Sequence, residues 1–434
     1  MFTGADPVIV SGMTQTVKRA CARIRGSSYP NGRFACVTTL AAQTSRVRYA
    51  YRLRVSSSAR AALLGEWGRC RWVWNESVAR SKKAHIEGEE CGPARLSKML
   101  TTARARVAWL REGSSVVQQQ VIRDFAKSRA KALADIKARV PVWQRAGKPR
   151  YKKKYVSRPS LNYTRHGFRI KDGRLYLAGG IGVGVVWSRE LPGEASSVRV
   201  YRDSVGHWYA SFVVTTATEA LPSTGRDIGV DWGVREIATT TSDDHDLSHA
   251  QYGKTAAAKL ARYQRMMARR KPERGQPGSK RYRHAKQLAA KTHKKVARQR
   301  QDTARKWAKT VVRDHDRIAV EDFKPKFLAR STMARKAADA AIGAAKRELV
   351  VMVAKHGRRL VLVHPAHTTM DCGHCGARTK HALPLSQRTY TCIACGAVSP
   401  RDKNSARVML IRAGFLPAGV DRIRPAQPLV GQAA

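Results

Sequence analysis

The chain has 434 residues, 43% of them hydrophobic, and carries 83 Lys and Arg against 31 Asp and Glu, a formal charge of +52. That apolar share supports real cores and excludes wholesale disorder, and the length fits two to four structural units. A surplus of this size repels itself in a compact protein and points to a polyanion partner, because a solubility surface mixes both signs. One charge per phosphate would engage about 52 phosphates, which suggests a long nucleic acid. The apolar runs at 175–187, 349–354 and 360–363 fall short of the ~18 residues of a membrane span. The N-terminus lacks the basic, apolar, small-residue order of a secretory signal, so a cytoplasmic protein with no membrane partner is expected. Of eight cysteines, Cys21, Cys36, Cys70 and Cys91 are scattered and four cluster near the C-terminus. This fits a reducing compartment with one metal site better than a disulfide framework.

Residues 1–46 lack periodicity and read as an extension that is poorly ordered or ordered only on binding. Val47–Val55 alternates apolar and basic residues, predicting a strand with one positive face. Helical patterns follow at 58–85, 96–111 and after Gly113, where Ser115-Val116-Val117-Gln118 has capping-box spacing. Trp67, Trp72 and Trp74 in the first helix suit a helix core or a base-stacking platform. Lys82 and Lys83 lie near its end. Past Pro141, the basic run Lys152-Lys153-Lys154 is flanked by Tyr151 and Tyr155; it reads as a solvated face or as a backbone-tracking segment with stacking rings. Strands at 167–170, 174–177, 197–201 and 208–215 predict a small barrel, which the strand at 47–55 could join, making the helices an insertion.

Beyond a linker at 222–225, residues 226–241 predict a β-hairpin. Residues 251–315 hold 21 Lys and Arg against 3 Asp and Glu and predict a basic helical hairpin with its turn at 271–278. Arg269, Arg270 and Lys271 sit beside that turn. A strand at 317–321, a helix at 332–355, a strand at 360–364 and a last helix after Asp402 follow, with a loose tail beyond Gly414.

Cys372-Gly-His-Cys375, sixteen residues, and Cys392-Ile-Ala-Cys395 have the spacing of a four-thiolate zinc site, closed and therefore structural. Asp231 follows the alternating Ile228 and Val230. Glu321 ends an apolar strand, and Asp402 precedes a helix. Carboxylates so placed can converge on divalent cations and serve phosphodiester cleavage. Taken singly, Asp402 reads as an N-cap and Glu321 as a solvated strand end before either reads as a ligand, with Asp227 and Asp322 as competitors.

The ordered set Gly229-Val-Asp231-Trp-Gly233, Val320-Glu321-Asp322-Phe, CxxC…CxxC and Asp402-Lys-Asn404-Ser-Ala406 resembles the split RuvC nuclease domain of TnpB proteins and miniature type V CRISPR effectors. Trp67-Gly-Arg-Cys-Arg-Trp72-Val-Trp74-Asn75 resembles their first recognition helix, and the segment 151–216 their wedge domain. The resemblance covers roughly 47–413. It implies a bilobed multidomain α+β protein with a helical recognition bundle inserted in a β-barrel wedge domain. An RNase H-like RuvC nuclease domain with a four-Cys zinc ribbon follows. The expected divisions are an N-terminal extension (1–46), a first wedge strand (47–56), recognition helices (57–140) and the wedge barrel (141–222). After these come the nuclease domain with the basic helical region (223–366), the zinc ribbon (367–399), and the third nuclease motif with the tail (400–434).

The resemblance further implies Asp231, Glu321 and Asp402 as ligands of two catalytic Mg²⁺ ions, and Cys372, Cys375, Cys392 and Cys395 as ligands of one structural Zn²⁺. It implies Arg388 as a contact to the scissile phosphate, although alone it reads equally as a surface arginine, and Asn404 as orienting the third carboxylate or the helix start. Trp232 and Ser405 depart from the family's usual Leu and Ala without removing a ligand. The implied activity is RNA-guided DNA cleavage next to a short protein-read motif, with a structured guide RNA and double- and single-stranded target DNA as partners. Lys82, Lys83, Tyr151–Lys154 and Arg269–Lys271 would contact nucleic acid. A compact CRISPR effector is the leading form; a transposon-borne TnpB, a guided repressor that does not cut, and a guide-free zinc nucleic-acid-binding protein are the alternatives. Monomer and homodimer both remain open.

Overall fold

The computed structural model describes residues 39–40, 44–273, 276–323, 325–381, 383–384 and 386–415. The readings of 1–38 and of the tail beyond residue 415 lie outside them. Two compact units divide the chain, one formed by 46–216 and the other by 1–45 with 217–434. A two-residue strand β1 (Thr39–Leu40), within the expected extension, belongs to the second unit.

The first unit combines the strands β2 (Thr44–Arg54), β3 (Ser160–Thr164), β4 (Phe168–Lys171), β5 (Arg174–Leu177), β6 (Ile181–Val186), β7 (Ala195–Arg202) and β8 (Trp208–Ala217). They form one seven-stranded, nearly closed sheet in the order β3-β7-β8-β2-β6-β5-β4. The early strand β2 sits between β8 and β6, as the alternation at 47–55 suggested, so the helices α1 (Ser57–Ile86), α2 (Pro93–Arg106), α3 (Ala108–Arg111) and α4 (Ser115–Lys137) are inserted in the sheet. One buried cluster runs from Leu63, Trp67, Cys70 and Phe125 on the helices to Leu161, Val198 and Phe212 on the strands. Trp67 is therefore core, and Trp72 and Trp74 pack against it.

Two local expectations are corrected. The predicted helix at 96–111 breaks at Val107, whose φ of −113° and ψ of 102° are extended. The capping box at Ser115 does not form; Ser114 is the N-cap, without a side-chain bond. Gln118 is buried instead and donates to Leu110 O at 2.9 Å, while accepting from Arg104 at 2.8 Å. A tertiary acceptor has taken the side chain that a local cap would have used.

The second unit is built on a six-stranded sheet. Its remaining strands are β9 (Asp227–Trp232), β10 (Glu236–Thr240), β11 (Leu247–Ser248), β12 (Arg317–Glu321) and β13 (Arg359–Val363), in the order β1-β13-β12-β9-β10-β11. β9, β10 and β11 form an antiparallel meander, and β12 runs parallel to both β9 and β13. Between them come α5 (Tyr252–Thr255), α6 (Ala257–Ala268), α7 (Lys280–Asp314), α8 (Ala334–Ala340) and α9 (Ile342–Lys355). The helix predicted at 332–355 thus breaks at Ala341, whose φ is +53°. Strands β14 (Thr389–Thr391) and β15 (Val398–Pro400) form a small ribbon that leads into α10 (Arg401–Arg412).

Side-chain alternation sorts this sheet into two faces. Ile228, Val230, Ile318, Val320 and Leu360 pack with Trp307, Val311, Leu349 and Val353 of α7 and α9. Ala319, Val361 and Val363 pack with Met409, Leu410 and Phe415 at the α10 end. Gly229, Asp231 and Glu321 alternate onto this α10 face. A Cβ on Gly229 would lie 1.9 Å from the Ala406 carbonyl oxygen, so only glycine lets α10 approach β9 this closely.

Candidate functional site

Asp231 stands near the C-terminal end of β9 and Glu321 at the C-terminal end of β12. The two strands are parallel, with Val230 opposite Val320, so both carboxylates emerge at one end of the sheet. Asp402 lies in the first turn of α10. Pro400 occupies the N-cap position, so the N-cap reading of Asp402 is not met, although a carboxylate there still suits the helix dipole.

The electrostatics place Asp231 under the influence of the other two carboxylates. Burial pushes the Asp231 carboxyl well above the usual carboxylate range, and the charges of Glu321 and Asp402 push it further. Burial likewise raises Glu321 to about 7, with Asp322 adding to the effect while the N–H of Trp232 and the charge of Lys346 oppose it. The hydrogen-bond interaction between the two side chains raises Asp231 and lowers Glu321. Crowded carboxylates that need a proton to coexist are a site short of positive charge. An all-oxygen set of this kind suits a hard divalent cation. Among the described residues, however, the four cysteines are the group whose ligand atoms all fall within 4.8 Å of one another. The carboxylates are close enough to repel without being drawn to one point.

Arg388 precedes β14 and places Nη1 4.0 Å from Asp402 Oδ2. Its carbonyl accepts from the Arg401 N–H at 2.8 Å, which fixes the arginine's backbone to the start of α10. Trp232, where the resemblance led one to expect Leu, donates its indole N–H to the Glu321 carbonyl at 3.2 Å. The departure is thereby absorbed and gives Glu321 a tether.

The Cys372–Cys375 and Cys392–Cys395 turns repeat one backbone pattern. Gly376 and Gly396, at φ 77° and 72°, close the two turns. Their N–H groups donate to Cys372 O at 3.0 Å and Cys392 O at 2.9 Å. The facing sulfurs are 3.8 Å apart for Cys372 and Cys395, and 3.6 Å for Cys375 and Cys392. Four Zn–S bonds of about 2.3 Å in a tetrahedron require sulfurs about 3.8 Å apart, so the four thiols fit zinc. Asn404 belongs to this element. It is fully buried, accepts from the Gly373 N–H at 2.8 Å and donates to Asp371 O at 2.7 Å. Of the two expected roles, orienting the third carboxylate or the helix start, these bonds match the second, since they bind the first cysteine turn to the start of α10.

The basic residues fall into two groups, one in each unit. Lys82 lies 4.8 Å from the Tyr151 ring centroid, and Lys83 is exposed near Glu87 at 3.6 Å. Lys152 is turned inward, 3.6 Å from the Trp74 ring and 5.3 Å from Trp67. Burial lowers its pKa to about 8. Asn75 holds the Lys152 backbone at both N–H and C=O, at 2.7 and 3.2 Å. Lys153, Lys154 and Tyr155 remain exposed beside it. In the second unit Arg269 and Lys271 are exposed at the end of α6, and Arg270 is half-buried.

Two lysines near the carboxylates escaped the sequence reading. Lys346 of α9 donates to Asp322 Oδ1 at 2.8 Å and to Glu321 O at 3.4 Å. Lys403 pairs with Asp243 at 2.6 Å and Asp246 at 2.8 Å. No motif marks Lys346, whereas Lys403 directly follows Asp402 and its adjacency was the available signal.

The α+β fold matches a solved Cas12f1–sgRNA–target DNA complex with a TM-score of 0.53 and 10% identity, over 85% of this chain and 99% of that one. A family profile described as "Probable transposase" (OrfB_IS605) matches residues 211–332, and one described as "Cas12f1-like, TNB domain" matches 345–409. A "Putative RNA-guided DNA endonuclease" of Streptomyces pristinaespiralis is 30% identical over 87% of this chain and 92% of its own length. The "Putative RNA-guided DNA endonuclease InsQ" of Escherichia coli K12 is 25% identical over 83% and 91%. The α+β fold, with its nearly closed sheet and four-cysteine cluster, is thus shared with that Cas12f1 structure. The chain belongs to the TnpB and miniature type V effector family.

Proposed function

We propose that this protein is an RNA-guided DNA endonuclease with a single RuvC-type site made by Asp231, Glu321 and Asp402. The observation that carries the reading is that Asp231 and Glu321 emerge together at the C-terminal ends of two parallel strands, with Asp402 on the first turn of α10 near enough for its charge to raise Asp231. A binding protein that does not cut has no use for an arrangement that costs stability until a cation neutralises it. The 3-2-1-4-5 order of β11, β10, β9, β12 and β13 supports an RNase H-like reading of this unit. Asp231, Glu321 and Asp402 would hold two Mg²⁺ ions, which when bound stabilise the attacking and leaving oxygens of phosphodiester cleavage. Loading would favour the ionised form of both Asp231 and Glu321, whose carboxyls burial raises. Arg388 would hold a phosphate against Asp402, its fork matching two phosphate oxygens.

The four cysteines would hold one structural Zn²⁺, leaving no open coordination position for chemistry. The guide RNA would supply sequence specificity, the protein reading heteroduplex shape through backbone contacts. Lys82, Lys83, Tyr151, Lys153, Lys154, Arg269, Arg270 and Lys271 would contribute to that contact, while Lys152 would act indirectly by fixing the loop that presents its neighbours.

Two origins of the guide each have one supporting observation. The transposase profile over 211–332 favours an RNA derived from a mobile element, and the Cas12f1-like profile over 345–409 favours a CRISPR guide. RNA co-purifying with the protein from its native locus distinguishes them. A constant scaffold ending in element flank indicates the first, and a scaffold joined to variable spacers indicates the second. No enriched RNA would overturn the guided reading. A Mg²⁺ titration with guide-matched DNA separates an endonuclease from a guided repressor, which would bind without cutting.

A further inference from the structure

We propose that Lys403 is a positioning residue of the carboxylate site, clamping the helix that carries Asp402 to the strand pair that carries Asp231. The inference rests on the reading of these carboxylates as one cation site. Lys403 Nζ lies 2.8 Å from Asp246 Oδ2 and 2.6 Å from Asp243 Oδ1, with its side chain 19% exposed. Asp243 is 91% exposed, so solvent screens that pair; Asp246, at 25%, is the stronger anchor. The other Asp246 oxygen accepts from the Thr240 N–H at 2.7 Å and from its hydroxyl at 3.2 Å. Thr240 closes β10, where Thr239 stands opposite Asp231 and Thr240 opposite Val230. The contacts therefore run without a gap from α10 through Lys403, Asp246 and Thr240 to the strand holding Asp231.

The site needs such a clamp. Asp402 lies on the first turn of α10, and the Pro400 N-cap supplies no side-chain hydrogen bond to steady that turn. Carboxylates brought together repel, which favours a restraint on this turn before a cation arrives. Gly229 lets the middle of the helix sit on β9, and Asn404 fixes its cysteine-turn side. Lys403 fixes the side toward β10. Its ion pairs go to Asp243 and Asp246 and to none of the three site carboxylates, so it acts through the backbone it holds.

The test compares the full-length ribonucleoprotein with its Lys403→Met, Lys403→Arg and Asp402→Ala variants. Lys403→Met is expected to raise the Mg²⁺ concentration for half-maximal cleavage on the order of tenfold, the usual effect of losing a group that orients a ligand. The rate at saturating Mg²⁺ should change little. Hydrogen exchange at residues 401–406, measured without divalent cation and without target DNA, should speed up. Lys403→Arg should restore both, since a guanidinium can span two carboxylates. Unchanged exchange and an unchanged Mg²⁺ midpoint in Lys403→Met would overturn the clamp. So would a fall in rate at all Mg²⁺ concentrations with no shift in midpoint and no change in exchange. Continued cleavage by Asp402→Ala would instead defeat the reading of the site, and the clamp would then stand or fall on the exchange measurement.

Discussion

Gly229 and Asp231 are two residues apart on one strand, and the first sets where the second works. With its Cβ position 1.9 Å from the Ala406 carbonyl oxygen, Gly229→Ala must push α10 away from β9. The obstacle is backbone, so no rotamer change relieves it. Overpacking of this kind costs about 1–3 kcal/mol. Thermal unfolding should show a loss of that size, and cleavage should fall by far more than the remaining folded fraction explains. Cleavage that merely tracks stability would mean that the Asp231–Asp402 geometry tolerates the shift. Residue chemistry was legible here because glycine and aspartate were already in alternation with Ile228 and Val230. Lys152 was not. Its place in a basic run suggested a solvated face or a backbone-tracking contact, yet Trp67 and Trp74 flank it, and rings 5.3 and 3.6 Å away replace part of its hydration. A linear pattern of charge carries no information about which side chain has an aromatic pocket within reach.

Helix α10 joins the cysteine ribbon to the carboxylates. Asn404 binds the Gly373 turn, and Arg412 reaches Asp371 Oδ2 at 2.5 Å and Ala366 O at 2.7 Å. Arg401, 7% exposed, donates to Pro384 O at 2.8 Å. Removing the zinc proposed for the four cysteines, by a strong chelator or by Cys392→Ser, should loosen both ends of this network. Hydrogen exchange is expected to rise across 371–378 and 401–407, and cleavage should be lost even at saturating Mg²⁺. Full cleavage by the zinc-free protein would show that α10 holds its place unaided. The ribbon was legible from cysteine spacing, and β9 and β12 from short apolar runs ending in carboxylates. Strand β6 was not recognised, because Gly182 and Gly184 occupy its outward positions and strands are normally poor in glycine. Its inward Ile181 and Val183 are buried. The break at Ala341 was equally hidden, since nothing in an alanine-rich helical run announces a residue at φ +53°.

The +52 charge bears on the molecule as a whole. With no compensating anion it is self-repulsive, so affinity for nucleic acid should fall steeply with salt. Replacing Lys153 and Lys154 by Ala should weaken binding uniformly across sequences and reduce the slope of log K against log salt by about 2 if each meets one phosphate. An unchanged slope would place these residues off the nucleic acid. No helix among the described residues is long and apolar enough to cross a membrane, in keeping with the hydropathy.

The most direct test of the account is cleavage of guide-matched DNA in Mg²⁺ by wild-type and Asp231→Ala ribonucleoproteins purified with equal RNA occupancy. Asp231 is the group whose carboxyl is raised by both Glu321 and Asp402. Its removal should leave RNA and target binding intact while abolishing cleavage, a loss of several orders of magnitude. Undiminished cleavage by Asp231→Ala would contradict the assignment of this carboxylate cluster as the catalytic centre.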